Sequence, residues 1–279
     1  MRVHLLHKHD QPKIDHTISL FQAAGCVVEP LASRSPVHVA ELLDRADIER
    51  LVVSGGDGMI HHAVQSVATS GTAVGIVPAG TGNDIARALG IPGSIKKAVN
   101  QALVSPVPMD LIRIADDRNQ SFVVSVLTAG FSGTVNEVAN TIGWAGGQLK
   151  YTVATLRCLP RLQTASLSGL NDFQHFSLLA VGNTRFFGGG MNICPGADPT
   201  DGVAEAIVVD RVHPLHLAAV LPTAFFGQHV RSRKVHRVPL HGTTIETEAE
   251  WWADGEPLPQ VGPVRVEVVP GALSISAQV

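Results

Sequence analysis

The chain of 279 residues has few of several residue types that define protein classes. Its three cysteines exclude a disulfide framework and a four-cysteine zinc site, and they are typical of a reducing compartment such as the cytoplasm. A formal net charge of −3 excludes a nucleic-acid-binding protein that works by bulk positive charge. The apolar run at residues 217–227 is far shorter than the roughly 20 residues that cross a bilayer. We therefore expect a cytoplasmic protein without a nucleic-acid partner.

Apolar residues are plentiful, at 45% of the chain, and they follow two different patterns. Residues 1–108 alternate short β-branched runs with helix-like stretches, which predicts an α/β domain with a mainly parallel sheet. Residues 109–279 contain mostly short strands between Gly, Pro, Asn and Asp turns, which predicts a β-rich domain, either an antiparallel sandwich or a barrel. Within it, residues 121–127 are expected to be one strand and residues 134–159 one helical insertion. The final strand belongs either to the second domain or, by returning, to the first.

Two glycine-rich loops each follow a predicted strand and precede a predicted helix. Glycines let a backbone turn sharply and approach a ligand without a Cβ in the way. The start of the following helix offers free N–H groups and the positive end of its dipole, which favour a phosphate group. Because both loops lie at the carboxyl ends of predicted parallel strands, we interpret them as a phosphate-binding cradle. Its candidate residues are Gly55, Gly56, Asp57, Gly58, Gly80, Thr81, Gly82 and Asn83, with Asn83 also a candidate N-cap.

These loops resemble those of the diacylglycerol kinase catalytic-domain family, which includes bacterial lipid kinases and the sphingosine and ceramide kinases. The second loop and its continuation, Pro78–Arg87, are the more specific part, since Gly-Gly-Asp-Gly also occurs in NAD kinases. The resemblance implies a nucleotide-binding α/β domain followed by a β-sandwich, as in NAD and diacylglycerol kinases. It implies transfer of a phosphoryl group from ATP to a lipid hydroxyl, with diacylglycerol as the first expectation. It also implies that Asp57 is catalytic and orients ATP-bound Mg²⁺.

Two carboxylates three residues apart, Asp198 and Asp201, lie in a Pro/Gly turn of the second half. Oxygen-rich turns of this kind bind hard cations such as Mg²⁺, although an ordinary solvated turn has the same spacing. Bacterial lipid kinases carry a similar Asp-Pro-x-Asp-Gly stretch. The resemblance therefore implies a magnesium site made of Asp198, Asp201 and the carbonyl of Val203, which supports the fold near the active site.

A second pair of carboxylates, Asp254 and Glu256, flanks a glycine directly after two tryptophans. A carboxylate beside apolar surface is suited to act as a general base, and Asp-Gly is also a common hairpin turn. The family ends its catalytic core with a similar Asp-Gly-Glu, which implies that the proton acceptor lies here. Sequence reasoning does not separate the two residues, so both are candidates.

A basic run at residues 228–237 directly follows the apolar run and contains four fixed positive charges. Apolar surface beside basic residues favours reversible binding to anionic lipid, and Trp144 and Tyr151 are candidate interfacial anchors. We expect transient contact with a membrane surface, where the lipid substrate lies. An exposed edge strand in either domain would also permit a homodimer.

Differences from the family pattern leave two alternatives open. Met59 stands where the family usually has threonine, and His61 and His62 stand near the place of an Asn-Glu pair. The family's amino-terminal Asn-Pro-x-[Ser/Ala]-Gly loop is missing, and Lys8 near its place is a candidate phosphate contact. The alternatives are an NAD-kinase-like phosphotransferase and a catalytically weakened lipid-binding or regulatory protein.

Overall fold

A computed structural model describes residues 1–44, 48–142 and 147–277 of the chain. The chain divides into two compact units, of which unit 1 comprises Met1–Asp110 and Pro270–Val279, and unit 2 comprises Leu111–Val269. The predicted boundary was residue 108, and the first segment of unit 1 ends at residue 110. The chain from Pro270 on belongs to unit 1.

The helices and strands of the described residues are named here in chain order. The helices are α1 (Ile14–Ala23), α2 (Pro36–Asp44), α3 (Asp57–Val67), α4 (Asp84–Ala88), α5 (Ile95–Ala102), α6 (Phe131–Thr141), α7 (Gly147–Cys158) and α8 (Pro214–Ala224). The strands are β1 (Arg2–Lys8), β2 (Val27–Ser33), β3 (Arg50–Gly55), β4 (Ala73–Pro78), β5 (Val107–Ala115), β6 (Gln120–Val123), β7 (Val126–Gly130), β8 (Ala165–Ser166), β9 (His175–Phe176), β10 (Leu178–Gly182), β11 (Phe186–Phe187), β12 (Met191–Asn192), β13 (Ala204–Val209), β14 (Val235–Leu240), β15 (Gly242–Ile245), β16 (Trp251–Ala253), β17 (Glu256–Pro257) and β18 (Val264–Ile275).

Unit 1 is built on a parallel sheet in the order β2-β1-β3-β4, with the end of β18 added beside β4. Strands β3 and β4 are apolar and buried along nearly their whole length, as expected of parallel strands covered on both faces. Because the carboxyl ends of parallel strands share one edge, the segments after β1, β3 and β4 emerge side by side. The register pairs His7 with Ser54 and Gly55 with Pro78.

Unit 2 contains an antiparallel sheet in the order β14-β13-β10-β7-β16-β17. Side chains alternate across β7, so Leu127 and Ala129 face an apolar core shared with strands β6 and β15, while Val126 belongs to a second cluster on the other face. Helices α6, α7 and α8 pack together around Phe131, Ala154 and Leu217. None of the helices in the described ranges is long and apolar enough to span a membrane.

Two expectations for unit 2 were wrong in detail. The single strand expected at residues 121–127 is two strands, because the chain bends at Val124 and Ser125 between β6 and β7. The single helical insertion expected at residues 134–159 is two helices, α6 and α7. The bend has no strong local signal, because the group that holds it, Asp254, lies far away in sequence.

Candidate active site

The two glycine loops of unit 1 are in direct backbone contact. The N–H of Ala79 donates to the carbonyl of Gly55 at 2.9 Å. A Cβ atom at Gly80 would lie 2.5 Å from the Cα atom of Gly56, and one at Gly56 would lie 3.1 Å from the Cα atom of Gly80. Gly80 therefore requires glycine, and a Cβ at Gly56 would be crowded. The structure brings the predicted loop residues together at the edge where β3 and β4 end.

The carboxylate of Asp57 joins the first loop to the second. Its Oδ2 accepts the backbone N–H of Asp84 at 3.1 Å, and its Oδ1 accepts that of Ile85 at 3.0 Å. A Cβ atom at Gly82 would lie 3.1 Å from the same Oδ2. Asp57 thus occupies the N-terminal N–H groups of α4, which sequence reasoning had assigned to phosphate binding. The first turn of α3 is the helix start that the geometry offers to a phosphate.

Asn83 stands at the N-cap position of α4, yet its side chain does not cap the helix. It closes the second loop instead, because its Oδ1 accepts the N–H of Gly80 at 3.0 Å and its Nδ2 donates to the carbonyl of Gly80 at 2.8 Å. Asn83 adopts the left-handed region, with φ of 52°. The expected capping role was wrong because Asp57 takes the helix N–H groups. Thr81, at the tip of the loop, is exposed.

Lys8 is exposed at the carboxyl end of β1, where the segment after the strand runs beside β3. Gln11 accepts the N–H of Lys8 at 3.4 Å and donates from Nε2 to the Oγ of Ser54 at 2.6 Å. Gln11 therefore ties the segment after β1 to the residue before the first glycine loop. Sequence reasoning missed it, because a lone glutamine in a polar segment carries no signal.

The departures from the family pattern have a packing explanation at one position. A Cβ atom at Gly55 would lie 2.8 Å from the sulfur of Met59, so the methionine fills the space beside that glycine. His61 is buried in α3, and its ring meets that of His62 edge to face at a centroid distance of 5.2 Å. Met59 is thus a packing residue of the first loop.

Asp254 of unit 2 is buried, and it binds the bend between β6 and β7 through backbone N–H groups. Its Oδ2 accepts from Val124 at 3.0 Å, and its Oδ1 accepts from Ser125 at 2.7 Å and from Val126 at 3.2 Å. Asp254 itself is in the left-handed region, with φ of 53°. Glu256 lies on the partner strand of the hairpin, opposite Ala253, and is half-buried.

Further polar groups that sequence reasoning missed surround the same bend. The hydroxyls of Ser125 and Thr184 are 2.6 Å apart, and Nδ2 of Asn183 donates to the carbonyl of Val124 at 2.9 Å. All three side chains are buried. The segment after β10 thus fixes the bend from one side while Asp254 fixes it from the other. Single serines and threonines in strand-rich sequence give no warning of such a network.

Asp198 and Asp201 are exposed and lie in one turn before β13. Oδ1 of Asp198 accepts the N–H and the hydroxyl of Thr200, and Oδ1 of Asp201 accepts the N–H of Val203 at 2.9 Å. Within the described ranges, no group of three or more His, Cys, Asp or Glu side chains forms a metal site. The predicted donor set of two carboxylates and one carbonyl is all-oxygen, which fits Mg²⁺ in its chemistry.

The turn is supported by an ion pair next to it, between a buried glutamate and an exposed arginine. Glu205 of β13 pairs with Arg237 of β14 and accepts the N–H of Gly196 at 2.7 Å. Burial raises the pKa of the Cys194 thiol beside this pair well above its usual range, and the nearby Glu205 charge adds to the rise. Burial also lowers the pKa of His229, whose Nε2 contacts the carbonyl of Ile193 at 2.9 Å.

The basic run carries less available charge than its sequence suggests. Arg237 pairs with Glu205, and Lys234 lies 3.6 Å from Asp210. Arg231 and Arg233 are exposed. Tyr151 is half-buried and lines a cavity of unit 2, so its interfacial role stays a prediction, and Trp144 lies outside the described residues.

Apolar surface accompanies these arginines on α8. Leu215, Ala219 and Pro222 of the helix and Phe226 just after it are exposed, Leu215 by 75% and Phe226 by 77%. Their spacing of four, three and four residues places them along one side of a helix. We call these four residues, together with Arg231 and Arg233, the α8 surface.

Comparisons with known proteins identify the family. Residues 7–114 match the profile of the diacylglycerol kinase catalytic domain, and residues 125–277 match that of the YegS C-terminal NAD kinase beta sandwich-like domain. The chain is 34% identical to a diacylglycerol kinase of Mycobacterium tuberculosis (strain ATCC 25618 / H37Rv) over 81% of this chain and 76% of the relative. It is 30% identical to a probable YegS-like lipid kinase of Stenotrophomonas maltophilia, over 84% of this chain and 80% of the relative.

Solved structures show the same fold. A diacylglycerol kinase from Bacillus anthracis has a TM-score of 0.76 at 20% identity, covering 99% of this chain and 96% of that one. An NAD kinase from Archaeoglobus fulgidus has a TM-score of 0.55 at 12% identity, covering 98% of this chain and 93% of that one. The predicted fold class, an α/β domain with a mainly parallel sheet followed by a β-sandwich, is confirmed.

Proposed function

Because the chain belongs to the diacylglycerol kinase family of lipid kinases, we propose that it transfers the γ-phosphoryl group of ATP to a hydroxyl of diacylglycerol, forming phosphatidic acid. That the chain is a lipid kinase, and therefore a phosphotransferase, follows from the family. Diacylglycerol as the acceptor rests on the relative named for that activity. The observation that carries the proposal is the pair of glycine loops in contact at Gly56 and Gly80.

In this proposal the loops hold the phosphates of ATP. The backbone at the contact carries no side chains, so a phosphate can approach the N–H groups of both loops closely. The start of α3 adds the positive end of a helix dipole. Thr81 offers a hydroxyl and Lys8 a positive charge from exposed positions. The loop residues in this role are Gly55, Gly56, Gly58, Gly80, Thr81, Gly82 and Asn83.

Magnesium is part of the proposal through two groups of residues. Asp198, Asp201 and the carbonyl of Val203 would hold one ion at the turn before β13, and Asp57 would orient the ion that accompanies ATP. A bound Mg²⁺ supplies positive charge that neutralises phosphate oxygens and stabilises acidic turns. Independently of any role in orienting that ion, Asp57 keeps the second loop in place by accepting two N–H groups of α4.

The proposed proton acceptor is one of the two carboxylates of the hairpin, Asp254 or Glu256. It receives the proton of the lipid hydroxyl as the hydroxyl oxygen attacks the γ-phosphorus and the bond to the ADP leaving group breaks. Positioning and electrostatics supply most of the catalysis in phosphoryl transfer. Asp254 is fixed in place by three backbone N–H groups, which gives it a defined orientation and also ties it to the fold.

The α8 surface is the proposed membrane contact. Exposed apolar side chains beside arginines match the interface of an anionic bilayer, where each basic residue adds about 1 kcal/mol. Among the described residues, Arg231 and Arg233 have no ion-pair partner, so their charges are available to lipid headgroups. The contact brings the enzyme to the layer that contains its substrate.

Acceptor competition tests the proposal. The protein is incubated with γ-labelled ATP and Mg²⁺ in the presence of vesicles containing diacylglycerol, vesicles containing other lipid alcohols, or NAD. Label in phosphatidic acid is the expected result. Label in another lipid would identify that lipid, rather than diacylglycerol, as the acceptor. Label in NADP would favour an NAD-kinase-like enzyme, and no label would favour a weakened lipid-binding protein.

A further inference from the structure

A small cavity lies between the six-stranded sheet and helices α6–α8 of unit 2. Its volume is about 50 Å³, well above the roughly 10–15 Å³ that holds one water. Most of its lining is apolar, with Phe131, Val135, Leu178, Ile193, Leu217 and Leu221 among the side chains. The cavity has room for one small polar group and one or two carbon atoms. Its apolar lining suits part of an apolar molecule.

The serine, threonine and asparagine side chains in the lining fall into two kinds. Ser132 donates to the carbonyl of Ala129 at 3.4 Å, and Thr155 donates to that of Tyr151 at 2.8 Å, so both hydroxyls are satisfied locally. Within the described part of the chain, the hydroxyl of Thr128 and both amide atoms of Asn136 have no hydrogen-bond partner. These two side chains are only 1% and 2% exposed.

Leaving a buried polar group without a partner costs about 1–3 kcal/mol, so native proteins rarely keep one without a use. Thr128 lies on the helix-covered face because its neighbours Leu127 and Ala129 face the sandwich core. Asn136 is in the middle of α6, where leucine would be the better helix former. Two such groups at one apolar cavity indicate a ligand that combines apolar carbon with a hydrogen-bonding oxygen.

We propose that this cavity binds the ester carbonyl of a lipid acyl chain together with its first carbons, and that Asn136 and Thr128 donate hydrogen bonds to that carbonyl. The inference rests on the proposed function, because diacylglycerol carries two such esters. An ether-linked chain has no carbonyl to accept these hydrogen bonds, which are stronger in low-dielectric surroundings. The pair therefore selects ester-linked over ether-linked chains. Met191 in the lining is a flexible side chain that repacks readily around the rest of a chain.

Binding is measured without ATP, as the rise in melting temperature caused by dioctanoylglycerol and by its dioctyl ether analogue. The variants are Asn136→Leu and Thr128→Val, which keep the side-chain size and remove the polar atoms. Thr155→Val is the matched control, because its hydroxyl lines the same cavity but is already bonded. Catalytic efficiency with both lipids is measured in parallel.

The wild type and Thr155→Val are expected to bind the ester two- to tenfold more tightly than the ether, the range of one ordinary hydrogen bond. The ratio of ester to ether affinity is expected to fall to about one in Asn136→Leu and Thr128→Val. The melting temperatures of these two variants without ligand are expected to stay equal to that of the wild type or to rise. A wild type without a preference, or variants that keep it, would overturn the inference. Absent phosphoryl transfer to either lipid would contradict the proposed function alone, since binding is read without ATP.

Discussion

At Gly56 and Gly80 the two loop backbones are so close that Gly80 admits no side chain and Gly56 only a crowded one. Gly80→Ala would place its Cβ against the Cα of Gly56 and displace a loop. Since misplacements of about 1 Å reduce rates by about 100-fold, we expect a loss of that order in catalytic efficiency toward ATP. The measurement is steady-state kinetics with ATP as the varied substrate.

Gly93→Ala is the control for this change, because a Cβ at Gly93 meets nothing within 4 Å. It is expected to retain wild-type kinetics. Equal efficiencies for Gly80→Ala and Gly93→Ala would show that the loop contact is not needed for ATP use.

The hairpin carboxylates differ in how they are held, and this separates their variants. Asp254→Asn puts an amide against three backbone N–H donors, so the free energy of unfolding is expected to fall by about 2 kcal/mol. Glu256 is less buried than Asp254, so Glu256→Gln is expected to lower the free energy of unfolding by less than Asp254→Asn does. Urea unfolding gives the two values.

Turnover of the folded fraction then identifies the proton acceptor. Loss of a general base reduces turnover by about 100-fold or more, and we expect this in at least one of the two variants. If both kept turnover within a few-fold of the wild type, the hairpin would not contain the base.

Asp116 gives unit 2 a predictable pH dependence. Hydrogen bonds from the backbone N–H groups of Arg118, Asn119 and Val261 lower its pKa to about 2, from an ordinary 3.8. A lowered carboxylate pKa means that the folded state favours the ionised form, so this stabilisation is present above about pH 4 and is lost as the pH falls toward 2.

Asp116→Asn is therefore expected to be less stable than the wild type near neutral pH, with the difference shrinking between pH 4 and pH 2. Urea unfolding at a series of pH values measures the difference. A constant difference over that range would show that the ionised carboxylate is not its source.

At the scale of elements, α8 combines an inward apolar side with an exposed one. Arg231→Glu with Arg233→Glu is expected to weaken binding to anionic vesicles by about tenfold or more at low salt, because two favourable charges are lost and two repulsive ones are added. Vesicle sedimentation measures the binding. Leu215→Ser with Phe226→Ser is expected to weaken it at all salt concentrations.

Charge reversal elsewhere is the control for the α8 surface. Lys96→Glu with Lys97→Glu changes net charge equally on exposed residues of α5. If this pair weakened binding as much as the arginine pair did, net charge rather than the α8 surface would account for the contact.

The elements show where sequence reasoning succeeds. Strands β3 and β4 and the loops after them were predictable, because an apolar run followed by glycines is a local signal. The bend between β6 and β7 was not, because it depends on Asp254, which is about 130 residues away. The charge of the basic run was overestimated for the same reason, since Glu205 and Asp210 reach it only in the folded sheet.

At the scale of the whole molecule, the change from alternating helices and strands to short strands predicted an α/β domain followed by a β-rich one, and the family resemblance specified the sandwich. The family motif identified the two glycine loops, which lie together where β3 and β4 end. The functional roles of the site residues stay predictions, and some of their contacts were not predictable. Asp57 as the cap of α4 and Asn83 as the clasp of its own loop depend on geometry that the motif does not encode.

The proposed transfer of the terminal phosphoryl group of ATP onto diacylglycerol is tested most directly by following ³²P from γ-labelled ATP into extracted lipid while ADP is counted in the same samples. We expect one label in phosphatidic acid for each ADP formed, with both falling together in Gly80→Ala. ADP formed without labelled phosphatidic acid, or no ADP in the presence of diacylglycerol vesicles, would contradict it.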